Sequence, residues 1–266
     1  RLAAGSRIMG GKLGRNAIYI WTDTSLFTMR FVGQPFTFAF EQVGTNCGLI
    51  GMNAAVEVDG AAYWMSDNGF FRYTGKLESM DCLVEDYVYD DLNTTSNQLV
   101  YCGINNLFGE ITWFYPTATS NNVNRAVTYS YLDSTAKRPI WFTNANSLFP
   151  RTTWEDSAVF GLPHGTQYDA DTDTSFDVVG NTEGVTYYYE HETGVNQVKG
   201  GATTAIPANI TSGDYDITQK VVRGAATNMA DLRGDGENIM RVSRIIPDFI
   251  SQTGNAIVQL DLRDYP

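Results

Sequence analysis

Tyr19-Ile20-Trp21-Thr22-Asp23-Thr24-Ser25-Leu26-Phe27 returns, 44 residues further on, as Tyr63-Trp64-Met65-Ser66-Asp67-Asn68-Gly69-Phe70-Phe71. Each copy is an aromatic strand, a short polar turn centred on an Asp, and a second aromatic strand. A hairpin recurring at a fixed spacing implies one structural unit used more than once, and a four-stranded propeller blade takes about 40–45 residues. The expected fold is mainly β, with propeller-like repeated antiparallel hairpins over one domain spanning 1–266. In the second turn Asp67 is expected to cap and Gly69 to take a positive φ. Asp23, Asp67 and Gly69 are therefore read as structural turn residues, not catalysts.

The composition agrees with a β fold. Aromatic residues make up 13% of the 266 residues, with 15 Tyr and 14 Phe, beside 25 Gly and only 18% charged residues. Rings suit a pleated, half-buried surface and Gly supplies turns. Eighteen Lys and Arg face 30 Asp and Glu, for a net charge of −12. Proteins that grip nucleic acid or an anionic membrane concentrate positive charge. The balance argues against tight binding to a phosphate backbone, and it suits a wall past which DNA slides. No run of about 18 apolar residues occurs, so no membrane span is expected. Cys47, Cys82 and Cys102 are odd in number and lack CxxC spacing, which favours small buried hydrophobes over disulfides or a zinc site.

Working outward from the repeat, residues 5–16 read as a loop or edge strand, and 17–22 with 26–33 as the first hairpin. Phe36, Phe38 and Phe40 recur at period two, one face of a strand. Asp59-Gly60 after Val56 and Val58 is a strong turn signal that leads into the second hairpin, 61–73. Val84, Tyr87, Val88 and Leu92 lie at helical spacing behind Glu85 and Asp86, which predicts one short helix ending near Asn93. Further strands are expected at 99–103, 111–115, 125–132, 139–143 and 186–190. Residues 144–184 read as an irregular acidic insertion and 191–205 as a polar, Gly-rich stretch. A last hairpin is expected from Ile239–Val242 and Ile257–Leu262. The chain opens at Arg1 inside a repeat unit, so a longer product is expected.

Constellations that carry chemistry are sparse. His164 and His191 are the only histidines, and no Gly-x-Ser-x-Gly elbow accompanies them. Both are read as structural or solvent-exposed, His164 in a Pro163-His164-Gly165 turn, so no triad is assembled. Asp169, Asp171 and Asp173 open like a calcium loop, but Thr174 and Gly180 stand where that loop needs Gly and a bidentate Glu. They are a candidate for a loosely held cation beside the plainer reading of a solvated acidic loop. Glu85, Asp86, Asp90 and Asp91 are read as the polar face of the helix, not as a glycosidase pair set across a cleft. Ser66-Asp67-Asn68-Gly69 departs from the sialidase Asp-box, since Ser and Asp are adjacent and no Trp follows. Gly10-Gly11-Lys12 lacks the spacing of a phosphate loop. No catalytic residue, cofactor or metal site is assigned.

Several longer stretches resemble one family. Trp21 to Phe27, then Phe40-Glu41-Gln42-Val43-Gly44-Thr45-Asn46-Cys47-Gly48-Leu49-Ile50-Gly51, then Tyr63 to Phe71, are similar to the packaged-DNA stabilisation (tail hub or nozzle) proteins of short-tailed bacteriophages. So are Val84 to Asn93, His191-Glu192-Thr193-Gly194, Ser212 to Ile217, Arg244 to Phe249 and Arg263-Asp264-Tyr265-Pro266. The resemblance covers about residues 5–115 and 185–266. It implies a non-enzymatic, propeller-type tail subunit in the virion, without a cofactor. It also implies a homohexameric ring below the portal and adaptor, around the channel through which genomic DNA leaves. A negative lumen fits that role, because it repels phosphates and keeps DNA mobile. The rival expectation is a tail propeller that binds or cleaves host glycans, since sugars stack on Trp and Tyr. A head-completion protein is a third. Strand parity alone does not choose the residues that line a channel.

Overall fold

The computed structural model describes residues 4–135, 138–144, 151–157, 159–169, 185–199, 201–206 and 256–260. The chain divides into two compact units, Arg1–Ala205 and Ile206–Pro266. All strands named below belong to the first. In the second, residues 256–260 carry no strand. The expected strand Ile257–Leu262 is thus corrected over that span: alternation makes a strand possible, but only a paired ladder makes one. Ile239–Val242 lies outside the described residues.

The fold is mainly β and builds up in chain order. The first sheet is a meander of β1 (Ile8–Leu13), β2 (Ile18–Thr22), β3 (Ser25–Phe31) and β4 (Phe38–Thr45). The second runs β5 (Ala55–Val58), β6 (Ala61–Ser66), β7 (Gly69–Tyr73) and β8 (Leu77–Met80). The third joins β9 (Tyr101–Asn105), β10 (Glu110–Tyr115), β11 (Arg125–Ser130) and β12 (Trp141–Asn144). A three-stranded sheet of β13 (Thr153–Glu155), β14 (His164–Asp169) and β15 (Val185–Glu190) follows, then a hairpin of β16 (Asn196–Lys199) and β17 (Ala202–Ala205). Every ladder within these sheets is antiparallel.

The repeated hairpins are the same object in space. Ile20 pairs with Phe27 and Trp21 with Leu26 in the first copy; Trp64 pairs with Phe71 and Met65 with Phe70 in the second. The register is preserved across the 44-residue offset. Asp59 and Gly60 take φ of 52° and 87°, the pair of positive values that a two-residue hairpin turn requires.

The sheets lie face on face. Trp21 packs edge-on to Trp64 at 5.5 Å, and Tyr19 to Tyr73 at 5.7 Å, joining the first sheet to the second. Phe70 reaches Trp113 at 5.0 Å and Tyr63 reaches Tyr129 at 6.2 Å, joining the second to the third. Phe114 lies 5.9 Å from Trp154, joining the third to the fourth. The leading strands run beside one another in the same order, β1 by β5, β5 by β9 and β9 by β13. The core fills the gaps between sheets, with Trp21, Trp64, Trp113 and Tyr115 fully buried.

Tryptophan N–H groups pin the second, third and fourth sheets to earlier chain, whereas the buried Trp21 N–H of the first sheet has no such partner. Trp64 donates to the Cys47 carbonyl (2.9 Å), Trp113 to Ala54 (3.0 Å), Trp141 to Asp81 (2.9 Å) and Trp154 to Ile104 (2.7 Å). A buried indole N–H needs such a partner, so each ring brings apolar area and one directional bond to the same gap.

Three further expectations are corrected. The helix, α1 (Glu85–Tyr89), ends four residues short of Asn93, and a separate 3-10 turn, Thr94–Leu99, follows it. Asn93 starts that turn by accepting from the Thr95 N–H at 3.0 Å, a local side-chain bond that competes with helix continuation. Leu92 forms a bridge with Thr117 instead. The stretch 144–184 supplies β13 and β14, and 191–205 supplies β16 and β17. Their polar, Gly-rich sequences hide strands that are specified by pairing and not by a core-facing stripe.

Candidate functional site

The structure brings the second repeated turn and the acidic helix, separate in the sequence reading, to one place. The Tyr89 hydroxyl from α1 enters the Ser66–Gly69 turn, donating to the Ser66 carbonyl at 2.7 Å and accepting from the Gly69 N–H at 3.1 Å. Gly69 has φ of 134°, and a Cβ there would lie 3.2 Å from Glu85 Oε1. The positive φ favours glycine here, and a Cβ would only make the Glu85 carboxylate shift by a few tenths of an ångström. Asp67 accepts from Asn97 Nδ2 at 3.2 Å.

Neither aspartate closes its own turn, which for Asp67 corrects the expected capping. In the first turn the bonds come from Thr22, whose Oγ1 accepts from the N–H groups of Ser25 (2.9 Å) and Thr24 (3.3 Å). A hydroxyl one residue before the aspartate already meets the turn's donors in a compact ST-turn. Asp23 instead holds the chain entering β1: it accepts from the Ser6 N–H at 2.8 Å and from the Ser6 hydroxyl. Those bonds hold its carboxyl below the usual range. Tyr89→Phe should leave the Ser66 carbonyl and the Gly69 N–H without their partner and cost about 2 kcal/mol of stability. Urea unfolding reads this; a change within about 0.5 kcal/mol, the ordinary effect of a surface substitution, would show that the hydroxyl is dispensable.

Around this turn lies a concentration of negative charge. Burial pushes the Glu85 carboxyl up, and Asp86 and Asp81 push it further; burial also pushes Asp67 up. Asp91 has a cation, Arg125, at 3.3 Å, and Arg125 also donates to the Tyr87 hydroxyl. Among the described residues, Asp67, Asp81, Glu85, Asp86 and Asp90 have no ion pair. Also among the described residues, no group of three His, Cys, Asp or Glu is placed to hold a metal. Such a surface repels phosphates and attracts cations diffusely. The spacing of Glu85, Asp86, Asp90 and Asp91 marked the helix face, but nothing in the sequence indicated that Asp67 and Gly69 join it.

The other candidate residues fall elsewhere. Asp169 ends β14 opposite Val185, while Asp171 and Asp173 lie outside the described residues. His164 stands in β14 and not in a turn, paired with Glu155 and Glu190, because it continues a ladder. Its ring stacks on Tyr188 at 5.2 Å. His191 lies across the fourth sheet, accepting from Arg151 Nε at 2.9 Å with its ring 4.5 Å from Trp154. Cys47 is buried, and burial pushes the half-buried Cys82 and Cys102 thiols up to about 12. All three cysteines are free and suited to packing.

Burial, then the charges of Arg151 and His164, pushes the His191 imidazole down to about 3. Between its unfolded value near 6.5 and that folded value, the unfolded chain binds the extra proton. The His191 contribution is therefore neutral above this window, and stability is lost as pH falls through it, with a slope of up to about 1.4 kcal/mol per pH unit. His191→Gln should flatten the profile there in urea titrations at several pH values. An unchanged slope would place the acid sensitivity elsewhere.

The chain matches no protein-family model, and a search of curated proteins found no relative.

Proposed function

We propose that this chain is a structural tail protein of a short-tailed bacteriophage. It forms part of a hub or nozzle ring around the DNA exit channel, retains the packaged genome and guides its ejection without catalysing a reaction. The observation that carries the reading is the carboxylate surface of Asp67, Asp81, Glu85, Asp86 and Asp90, on a chain of net charge −12. A wall of that sign offers a passing duplex no phosphate grip, so the duplex stays mobile. The ordered set of tail-hub-like motifs supports the same reading. A propeller-type arrangement is supported by three four-stranded meanders stacked in chain order with their first strands adjacent. Its partners are further copies of itself, the portal and adaptor, and DNA that passes without sticking.

Cryo-electron microscopy of particles carrying this protein tests the proposal. A ring of density for the chain at the portal vertex is the expected result, and particles lacking it should package DNA and then leak it. Density in the capsid shell, or robust glycan binding or turnover by the purified chain, would overturn it. The purified chain should also fail to retain duplex DNA at physiological salt.

A further inference from the structure

Asn105 of β9 faces Glu110 of β10, and Ser130 of β11 faces Glu110 from the other side. Alternate residues of a strand share a face, so Glu110 stands on the side of Phe114, which turns to the fourth sheet. Directly opposed residues point the same way, so Asn105 lies on that side too. From there its Nδ2 donates at 3.0 Å to Oε1 of Glu192, which follows β15. The β9–β10 turn and the segment after β15 thus bring one amide and two carboxylates to the same gap.

Two of these groups have unmet requirements. Asn105 is 6% exposed, and its Oδ1 is buried without a hydrogen-bond donor. The reverse amide orientation would set Oδ1 against the Glu192 carboxylate, oxygen on oxygen. Burial pushes the half-buried Glu110 carboxyl up, Glu192 and Asp133 push it further, and no cation offsets them. Among the described residues neither Glu110 nor Glu192 has an ion pair. A buried acceptor without a donor and a half-buried carboxylate beside like charge both cost free energy. One bound cation relieves the two together.

We propose that the carboxylates of Glu110 and Glu192 and the Oδ1 of Asn105 hold a calcium ion between the third and fourth sheets. The donors are all oxygen, the ligand set of a hard cation. Among the described residues no three carboxylates meet at one point. Asp133 is drawn aside by Ser130, whose hydroxyl donates to it at 3.1 Å, and the amide oxygen takes the third place. Calcium is favoured over magnesium because Oδ1 has no contact with solvent. An ion must shed its water to reach that oxygen, and magnesium dehydrates reluctantly. Water completes the coordination on the side of Glu192, which is exposed. With two charged ligands the affinity is weak, with Kd about 0.1–1 mM. The site does not depend on the chain's being part of a ring.

Thermal melting of the full chain, followed by circular dichroism, tests the site in EDTA and in calcium or magnesium chloride. Both salts are used at about 10 mM, well above the expected Kd. Calcium should raise the melting temperature by about 3–10 °C more than magnesium does. Glu110→Gln and Glu192→Gln should each remove that excess; if one variant fails to fold, the other carries the test. Glu41→Gln, an exposed acid on the first sheet, should keep it. Equal gains from both ions would be diffuse screening of a chain of net charge −12 and would overturn the proposal. A calcium excess that survives both substitutions overturns it as well. No gain from calcium would mean that a proton on Glu110 serves the Asn105 Oδ1 in the ion's place, and the proposal fails.

Discussion

Replacing Trp113 with alanine is expected to lower the free energy of unfolding by about 3–5 kcal/mol, the cost of deleting a fully enclosed aromatic ring. Trp113 has no exposed surface. Its ring meets Phe70 at 5.0 Å and Trp141 at 6.1 Å, and its N–H bonds the Ala54 carbonyl at 3.0 Å. The residue therefore contributes to the gap between the second and third sheets in two ways, and alanine removes both. Trp113→Phe keeps most of the volume and loses the directional bond, so it should cost about 1–3 kcal/mol, mostly from the stranded carbonyl. Domains of this kind have about 5–15 kcal/mol in total, so the alanine variant should unfold at far lower denaturant and yield little soluble protein. Guanidinium unfolding followed by far-ultraviolet circular dichroism measures both. Equal losses for alanine and phenylalanine would assign the whole effect to the hydrogen bond and refute the packing argument.

Gly48→Ala is expected to cost about 3 kcal/mol, near the top of the range for forcing atoms into a closed site. A Cβ at residue 48 would stand 2.0 Å from the Asp23 carbonyl oxygen and 2.6 Å from the Thr24 nitrogen. Both are backbone atoms and cannot swing away as the end of a side chain could. The segment is tied to the first repeated turn on both sides, Cys47 N–H to the Thr24 carbonyl at 3.1 Å and Leu49 N–H to Thr22 at 3.1 Å. Relief of the clash must stretch one of these bonds or move the turn. Trp64, bonded to the Cys47 carbonyl, would be drawn along. The expected result is a lower melting temperature with a red-shifted tryptophan emission. A change below about 0.5 kcal/mol would show that the segment yields freely and that the close approach has no energetic consequence.

Local pattern carried much of the architecture. The repeated aromatic hairpins, the Asp59-Gly60 turn, Phe38 and Phe40 of β4 and the strands of the third sheet are all readable, whereas Phe36, expected on the same strand, lies in the bend before it. In each case alternation and turn chemistry act within a few residues. The strands hidden in 144–184 and 191–205 were not readable, because Thr, Gly and Gln carry little hydrophobic periodicity and backbone pairing between neighbouring strands specifies them. The helix end was misplaced because Asn93 prefers a cap of its own to one more helical turn. At the candidate site the acids of α1 were visible as a group. Their meeting with Asp67 and Gly69 was not, since it depends on Tyr89 reaching back across 20 residues to the Gly69 N–H.

The sequence by itself determined the secondary class, the repeated unit and the sign of the charge, because these depend on residue type, period and count. Only the tertiary structure decided which face of each hairpin is covered. Ile20-Phe27 and Trp64-Phe71 occupy the same register, yet Trp64 is sealed between sheets while Ile20 is only half-buried. The difference arises from position in the stack: among the described residues, the second sheet has a sheet packed on each side and the first sheet has one.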